Sequence, residues 1–451
     1  MKAYTTTLID HGTILTMDKK RRVLENGAVL IEGNRIAAVG KSDDVKKGIK
    51  ADRLLDAKGK IVLPGLINGH DHADQTLYRT MAHDLQFAIW DMRYMFQTSR
   101  YAEEKDFYYA GLVTYSELLK SGVTTSVTSH YYHKSWRNFD NLARSAEDLG
   151  IRTCLGFGIL DQAPYEEAET NSKKSLLEFE NAYKKWNGKD SGRISVWVSP
   201  AGFGNTSDEG LIGSVAIAKR YKARLTIHVA ATWTAANDPP WKVLKREVEH
   251  LRDLGVMSPN TLAAHSVWLN EEDLQIFKET GTSVAHNPVS NMYLAFGVAP
   301  VSRMTRIGIP VSLGTDGIGS NTHDMFEVMR AAAYLQKIHT MDTMSIDSQK
   351  ILEMATIEGA SAIGLEKEIG SIEEGKKADV IVVNANKIHM TPYKNPVPAL
   401  VYCAKSSDVE TVVVDGKIVV EGGVLKAMDE EKLIEDSQAD IRAFWERGKF
   451  N

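Results

Sequence analysis

The chain contains only two cysteines, Cys154 and Cys403, among its 451 residues. They lie far apart in the sequence, and neither has another cysteine nearby. This spacing excludes both a disulfide framework and a cysteine-based zinc ribbon. A reducing compartment fits such cysteine usage best, so we expect a cytoplasmic protein.

Long apolar runs and an excess of basic residues are also missing. No stretch approaches the roughly 18 apolar residues of a membrane span, and the first residues lack the apolar core of a secretory leader. Lys and Arg total 54 against 59 Asp and Glu, which gives a formal net charge of -5. Because no basic block is available to bind a phosphate backbone, we expect neither a membrane nor a nucleic acid as a partner.

What the chain does have is the composition of an ordinary globular protein, with 43% hydrophobic and 25% charged residues. Between about residues 60 and 360, strand-like apolar runs alternate with helix-like segments. The predicted strands are Ile61–Ile67, Thr124–Ser129, Arg152–Gly158, Ile194–Pro200, Arg224–His228, Thr261–His265, Ser283–His286 and Val311–Gly314. Eight strands, each followed by helical sequence, match an α/β fold of the (β/α)8 TIM-like barrel type, although counting alone also allows an open doubly wound sheet.

Both ends of the chain carry short alternating runs typical of β-strands, separated by hairpin turns. These runs are Thr6–Thr16, Ala28–Glu32, Arg35–Val39, Asp379–Val383, Val409–Val414 and Ile418–Val420. They predict a small β-sandwich that both termini form beside the barrel. The predicted domains are residues 1–58 and 370–428 for the two parts of the sandwich, 59–369 for the barrel and 429–451 for a C-terminal helix.

Histidine and aspartate stand at the carboxyl ends of four predicted strands. His70 and His72 follow the first strand and His228 ends the fifth. His265 ends the sixth strand, and Asp316 lies just beyond the eighth. In a barrel these strand ends meet at one mouth, where the connecting loops build the active site. We therefore expect the five side chains to meet there as metal ligands or proton carriers.

Six segments extend this pattern over nearly the whole chain. They are Pro64-Gly65-Leu66-Ile67-Asn68-Gly69-His70-Asp71-His72, Ile227-His228, Ala264-His265-Ser266, His286-Asn287-Pro288-Val289-Ser290-Asn291-Met292, Leu313-Gly314-Thr315-Asp316-Gly317 and Gly370-Ser371-Ile372-Glu373-Glu374-Gly375-Lys376-Lys377-Ala378-Asp379. Together they resemble the amidohydrolase superfamily. The similarity is greatest to its branch of chlorohydrolases and aminohydrolases that act on triazines, nucleobases and S-adenosylhomocysteine.

This resemblance implies one divalent metal ion held by a set of four ligands, namely His70, His72, His228 and Asp316. Three imidazoles with one carboxylate suit Zn²⁺ or Fe²⁺ far better than Mg²⁺. A second metal is disfavoured, because the fourth strand ends in Val198-Ser199-Pro200 and lacks the lysine of two-metal relatives. The resemblance also implies a homodimer or a larger homo-oligomer.

The implied activity is hydrolysis of a carbon–nitrogen bond, with deamination of a small nitrogen heterocycle as the main hypothesis. A bound divalent ion lowers the pKa of its water towards about 7. Asp316 would accept the proton of that water, and His265 would either orient it or polarise the electrophile. One alternative is a hydrolase of an amide, urea or carbamate bond. Another is a non-catalytic binding protein on the same scaffold, although such proteins usually lose the metal ligands that are all present here.

Two positions depart from the pattern of the family. Its deaminases carry a glutamate three residues after the histidine of strand five, where it protonates the ring nitrogen, but this chain has Ala231. Thr232, Asp238 or His265 are candidate substitutes. A leaving group that needs less protonation, or an engineered change, would also explain the alanine. The second departure is Ala201-Gly202, where nucleoside deaminases of the family hold substrate with a histidine, and it disfavours a nucleoside.

Aromatic and polar residues that follow the predicted strands are candidates for binding the substrate. These candidates are His130, Tyr131, Tyr132, Trp268, His286 and Asn291. His286 fits a role in capping a loop equally well, and Phe87 and Trp90 fit the core or the pocket equally well. Flat apolar faces with polar edges suit stacking on a ring. We therefore expect the substrate to be a small, flat and largely uncharged molecule.

Overall fold

The computed structural model describes residues 6–450 except 82, 92–93, 95, 132–135, 163–170, 203, 238–245 and 318–321. The strands are β1 Thr6–Leu15, β2 Val23–Glu32, β3 Arg35–Lys41, β4 Arg53–Asp56, β5 Lys60–Pro64, β6 Leu66–His72, β7 Val123–His130, β8 Arg152–Ile159, β9 Ile194–Pro200, β10 Leu225–Val229, β11 Thr261–His265, β12 Ser283–His286, β13 Val311–Leu313, β14 Asp316–Gly317, β15 Val380–Asn384, β16 Val409–Val414, β17 Lys417–Glu421 and β18 Val424–Leu425.

The helices lie mostly between the parallel strands. They are α1 Ser42–Val45, α2 Phe87–Trp90, α3 Phe96–Tyr101, α4 Glu104–Lys120, α5 Trp136–Leu149, α6 Ser172–Trp186, α7 Lys189–Gly192, α8 Asp208–Tyr221, α9 Trp233–Asn237, α10 Glu247–Asp253, α11 Glu271–Thr280, α12 Pro288–Tyr293, α13 Val301–Ile307, α14 Met325–Thr340, α15 Ser348–Met354, α16 Ile357–Ala362, α17 Pro396–Tyr402 and α18 Glu430–Gly448. No helix in the described ranges is long and apolar enough to cross a membrane.

Strands β6 to β14 form one parallel sheet that closes into a barrel. The short strands β13 and β14 are two parts of the eighth barrel strand, since only two residues separate them. β14 pairs with β6 through Asp316 and Asp71, which closes the ring. The predicted α/β barrel is therefore confirmed, and the boundaries predicted for Ile194–Pro200, Thr261–His265 and Ser283–His286 match the observed strands.

The barrel interior is a packed apolar core at one level. Six strands contribute to this core through Ile67, Val127, Cys154, Trp197, Leu262 and Ala285. Because side chains fill the barrel there, a ligand has room only at the end of the barrel where the strands terminate and the loops rise.

The remaining nine strands come from both ends of the chain and form one mixed sheet, called the terminal sheet below. Its two parts meet at β5, which pairs in parallel with β1 and antiparallel with β15. The expected association of the two termini is therefore present. The domain boundaries themselves stay a prediction.

The first predicted strand, Ile61–Ile67, is wrong as a single element. Residues Lys60–Pro64 belong to the terminal sheet, and only the part from Leu66 onward belongs to the barrel. The chain changes sheets at Gly65, whose amide donates to the Asp379 carbonyl at 2.9 Å. A Cβ at this glycine would lie 2.1 Å from Thr124 Oγ1. The close approach of the two sheets thus requires glycine, and an apolar run cannot reveal that crossing.

Local capping sets the ends of helices that follow the barrel strands. Ser207 caps the start of helix α8, and its side chain accepts from the Gly210 amide. Helix α11 begins with a reciprocal pair of hydrogen bonds between Asn270 and Asp273 and ends at Gly281, where φ is 69°. Such caps satisfy the free amides and carbonyls of helix ends, so these segments begin and end at defined residues.

Candidate metal and active site

Four side chains meet at the carboxyl ends of the barrel strands, as the sequence predicts. His70 and His72 stand on β6, His228 on β10 and Asp316 on β14. One donor atom from each of the four lies within 4.8 Å of the donor atoms of the other three. His70 Nε2 and His72 Nε2 lie 3.3 Å and 3.4 Å from the same oxygen of Asp316. The cluster can therefore hold a metal ion.

The spacing of the donor atoms fits a tetrahedral ion. Ligand atoms about 2.1 Å from a tetrahedral zinc lie about 3.4 Å from one another, close to the separations from Asp316. His70 is fully buried, and neither of its ring nitrogens has a hydrogen-bond partner among the described residues. A buried polar group without a partner is costly, and a bound cation would satisfy it.

Backbone carbonyls determine which nitrogen of each histidine faces the cluster. The Nδ1–H of His72 donates to the Ser129 carbonyl at 2.8 Å, and that of His228 donates to the Ala201 carbonyl at 2.6 Å. The Nε2 atoms of both rings are then unprotonated, yet they lie only 3.3 Å apart. Two lone pairs cannot hydrogen-bond to each other. Such a contact is favourable when a cation lies beside both atoms.

Burial keeps these imidazoles neutral at physiological pH. It lowers the pKa of His70 and His72 to about 4 and that of His228 to about 3. Burial acts in the opposite direction on Asp316, but His265 and the ligand histidines hold the pKa of this carboxyl well below its usual range. Neutral imidazole and ionised carboxylate are the forms that bind metal, so the site is ready to take up an ion.

His265 lies beside the cluster at the end of β11. Its Nε2 is 3.7 Å from Asp316 Oδ2, and its Nδ1–H donates to Asn291 Oδ1 at 2.8 Å. Ser290 donates to the same Asp316 oxygen. His265 and Asp316 both have left-handed backbone, with φ of 68° and 62°. Non-glycine residues rarely adopt this conformation, which costs roughly 1–3 kcal/mol and clusters at functional sites.

An open pocket lies over the cluster. Its walls include His72, His228, His265 and Asp316 together with four aromatic side chains, namely Phe87, Trp90, Tyr131 and Phe296. The cavity volume is about 170 Å³. Among the described residues that line it, none is a lysine or arginine. The pocket therefore offers flat apolar faces next to the polar groups of the cluster.

The candidates that follow the second barrel strand lie in different places. Tyr131 lines the pocket, and its hydroxyl lies 3.1 Å from His228 Nδ1. His130 is buried outside the pocket lining, with Nδ1 at 3.6 Å from Asp74 and its ring against Phe107. Tyr132 lies outside the described residues.

Three further candidates for binding substrate do not line the described pocket. Asn291 is buried and contacts His265 instead. His286 is fully buried, and its ring nitrogens have no hydrogen-bond partner among the described residues. Trp268 is half-exposed and donates to the Phe296 carbonyl at 2.7 Å. Their roles in binding stay predictions.

Two acidic residues that line the pocket, Asp91 and Glu247, have no signal in the sequence. Glu247 is the first residue of α10 and lines the cavity together with Ala231 and Thr232. It is buried, and its carboxylate accepts from the Ala230 amide at 2.9 Å. No motif surrounds it, and it stands between Arg246 and Val248 in a helix rather than at a strand end. Asp238, named above as a candidate proton carrier, lies outside the described residues.

Comparisons with known proteins agree with this fold and site. The sequence profile of the amidohydrolase family matches residues 61–419. The 5'-deoxyadenosine deaminase of Methanosarcina acetivorans is 38% identical over 96% of each chain. The 5-methylthioadenosine/S-adenosylhomocysteine deaminase of Thermoanaerobacter pseudethanolicus is 37% identical over 95% of this chain and 96% of its own. The crystal structure of an adenosine deaminase from Xanthomonas campestris with bound zinc superposes with a TM-score of 0.91 at 25% identity, covering 97% of this chain and 98% of that one.

The barrel and its histidine–aspartate cluster define a metal-dependent hydrolase of carbon–nitrogen bonds, as predicted. The chain belongs to the amidohydrolase family.

Proposed function

We propose that this protein is a zinc-dependent aminohydrolase that deaminates a small, flat nitrogen heterocycle. The observation that carries the proposal is the cluster of three imidazoles and one carboxylate at the floor of an aromatic pocket. Zinc favours nitrogen donors in tetrahedral sites, and the structure from Xanthomonas campestris contains zinc. His70, His72, His228 and Asp316 would hold the ion.

When bound, the ion supplies Lewis acidity that makes a water molecule acidic near neutral pH. The chain itself supplies the proton acceptor. Asp316 is ionised, and its Oδ2 faces His265 while its Oδ1 faces the ligand histidines. We assign to Asp316 the removal of the proton from the attacking water. His265, held by Asn291, orients that water towards the substrate.

The shape and charge of the pocket support a heterocyclic substrate. Phe87, Trp90 and Tyr131 provide faces on which a planar ring can stack. The cavity of about 170 Å³ is smaller than the roughly 300–1,000 Å³ of sites for drug-sized ligands. The family resemblance implies a substrate-holding histidine in nucleoside deaminases, and this chain has Ala201 and Gly202 there instead. A free ring therefore fits better than a ring carrying a sugar.

The names of the relatives favour a second candidate. Deaminases of 5'-deoxyadenosine and of 5-methylthioadenosine or S-adenosylhomocysteine align with almost the whole chain. An adenine nucleoside is thus the competing substrate class. The sugar of such a nucleoside would lie towards Ala201, Gly202 and Asn205, which line the pocket.

Ammonia release distinguishes these candidates. The zinc-loaded enzyme is assayed with free purines, pterins and aminotriazines, with 5'-deoxyadenosine and 5-methylthioadenosine, and with ureas and N-carbamoyl amino acids. We expect kcat/KM to be highest for a free ring. Preference for a nucleoside would support the second candidate, and activity only on ureas or carbamoyl compounds would overturn deamination. The homo-oligomer rests on the family resemblance alone and is tested by light scattering.

A further inference from the structure

Deamination needs an acid that the residues assigned so far do not provide. As water attacks the carbon that bears the amino group, the electron pair of the adjacent C=N bond moves to the ring nitrogen, which must gain a proton. General acid catalysis of this kind is worth about 10²–10⁴-fold in rate. Asp316 already has the role of the base, because it accepts the proton of the attacking water in the proposed reaction. A second, protonated group is therefore required on the wall of the pocket.

Glu247 occupies a suitable position on that wall. It begins α10, is only 2% exposed and lines the same cavity as His228, His265 and Asp316. Its Oε2 is fixed by the amide of Ala230, the residue that directly follows β10. The carboxyl group is thereby tied to the backbone next to Ala231, which also lines the cavity.

The other groups around the pocket suit the role less well. The described acids of its lining are Asp91, Glu247 and Asp316. Asp91 is half-buried in the segment after β6. Thr232 directly precedes α9, and its hydroxyl already accepts a hydrogen bond from the Ala235 amide. Glu247 is thus the described pocket acid that is both buried and without a role in the proposed metal site.

We propose that Glu247 is the general acid of this site, an assignment that rests on the proposed deamination. Its carboxyl proton passes to the ring nitrogen as the water oxygen bonds to carbon and the proton of the water passes to Asp316. Asp316 then returns its proton to the amino nitrogen. The C–N bond breaks, its electron pair leaves with ammonia, and the hydroxyl proton of the former water restores neutral Glu247. Substrate and water yield the oxo product and ammonia.

The surroundings of Glu247 keep its carboxyl group neutral. Burial raises its pKa to about 8, the Ala230 amide opposes that rise, Asp273 of α11 adds to it and Arg246 opposes it. Helix α9, which also packs against α10, contributes no titratable residue. His228 and His265 face the same cavity. Most molecules therefore carry the proton at pH 7.

The test uses the zinc-loaded enzyme with the most active amino-substituted ring of the panel above. The variants are E247Q, which retains an oxygen for the Ala230 amide, and E249Q as a matched control on the same helix, since the Glu249 side chain is 41% exposed and does not line the pocket. We expect E247Q to lower kcat by about 10²–10⁴-fold while zinc content and melting temperature at pH 6 stay as in the wild type. E249Q should match the wild type in all three.

Two further measurements separate an acid from a merely structural residue. The wild-type kcat should fall above about pH 8, and E247Q should lack this limb. Infrared difference spectra should show a neutral carboxyl band that disappears in E247Q. The double variant A231E/E247Q should recover activity, since Ala231 lines the same cavity.

The outcomes distinguish the two proposals. If the wild type releases ammonia and E247Q, with zinc retained, stays within about threefold of it, Glu247 is not the acid and deamination still stands. If the wild type releases no ammonia from any compound of the panel, the proposed function fails, and the role of Glu247 fails with it.

Discussion

Two buried groups of ionisable side chains contrast sharply in this molecule. Where the barrel meets the terminal sheet, Arg152 donates to both oxygens of Asp379 at 2.8 Å and 2.9 Å. Asp415 lies 3.3 Å from the same guanidinium and 3.1 Å from Lys377 Nζ. At the barrel mouth, by contrast, three neutral imidazoles surround one carboxylate, and the His70 ring has no hydrogen-bond partner among the described residues.

The difference separates a structural cluster from a functional one. Each charge at the sheet contact has an opposite charge beside it, so the network is complete within the chain. The ligand atoms at the mouth face one another with lone pairs and need a cation from outside. Breaking the first group should cost stability, whereas breaking the second should cost metal and activity.

Replacing His228 by alanine should remove metal and activity together. The ring supplies one of four ligand atoms, and the remaining three cannot complete the tetrahedral set. We expect elemental analysis to find less than one zinc ion per chain, and we expect no measurable release of ammonia. The same replacement at His389 is the control, because this histidine lies 2.7 Å from Asp408 near the terminal sheet and does not belong to the cluster. If H228A kept one zinc per chain, the ligand assignment would be wrong.

Replacing Asp379 by alanine should destabilise the protein without disabling the site. Removal of one partner leaves the buried charge of Arg152 poorly compensated, which typically costs about 3–5 kcal/mol. Urea denaturation measures the loss, and activity per bound zinc should match the wild type. The exposed pair Arg35–Glu368 is the comparison. E368Q should change stability by no more than about 1 kcal/mol, and an equal effect of both variants would contradict the distinction.

The stability of the wild type should depend on pH through Glu247. Its folded pKa of about 8 lies above the value of about 4.3 expected when unfolded. The contribution of this group is therefore fully present below about pH 4 and is lost as pH rises towards 8. At about 1.36 kcal/mol per pKa unit this amounts to a few kcal/mol. The melting temperature of E247Q relative to wild type should rise from pH 5 to pH 8, whereas that of E249Q should not.

Replacing Asn291 by alanine should have the smallest of these effects. It removes the acceptor that orients His265 but no metal ligand. Groups in this outer layer usually contribute about 10–100-fold in activity. We expect a fall of that size in kcat with unchanged zinc content, and recovery in N291D, which keeps an oxygen at the same place. A loss of zinc in N291A would show that this residue supports the metal site directly.

Much of the fold was predictable because the signals are local. Apolar runs of four to seven residues indicate buried parallel strands, and three of them coincide with the observed elements. The split at Gly65 was not predictable, since both halves of Ile61–Ile67 are equally apolar. Only the packing of Gly65 against Thr124 shows where one sheet ends and the next begins.

That these side chains meet could be read from the sequence, because parallel strands in a barrel end at one mouth and each of these residues stands at such an end. His70, His72, His228 and Asp316 therefore meet wherever the barrel forms. Tertiary structure alone decided the surroundings of that cluster. Helix α10 brings Glu247 to the Ala230 amide across a separation of 17 residues, and α12 brings Asn291 to His265. Such contacts depend on how helices pack over the strand ends, and no local pattern specifies that packing.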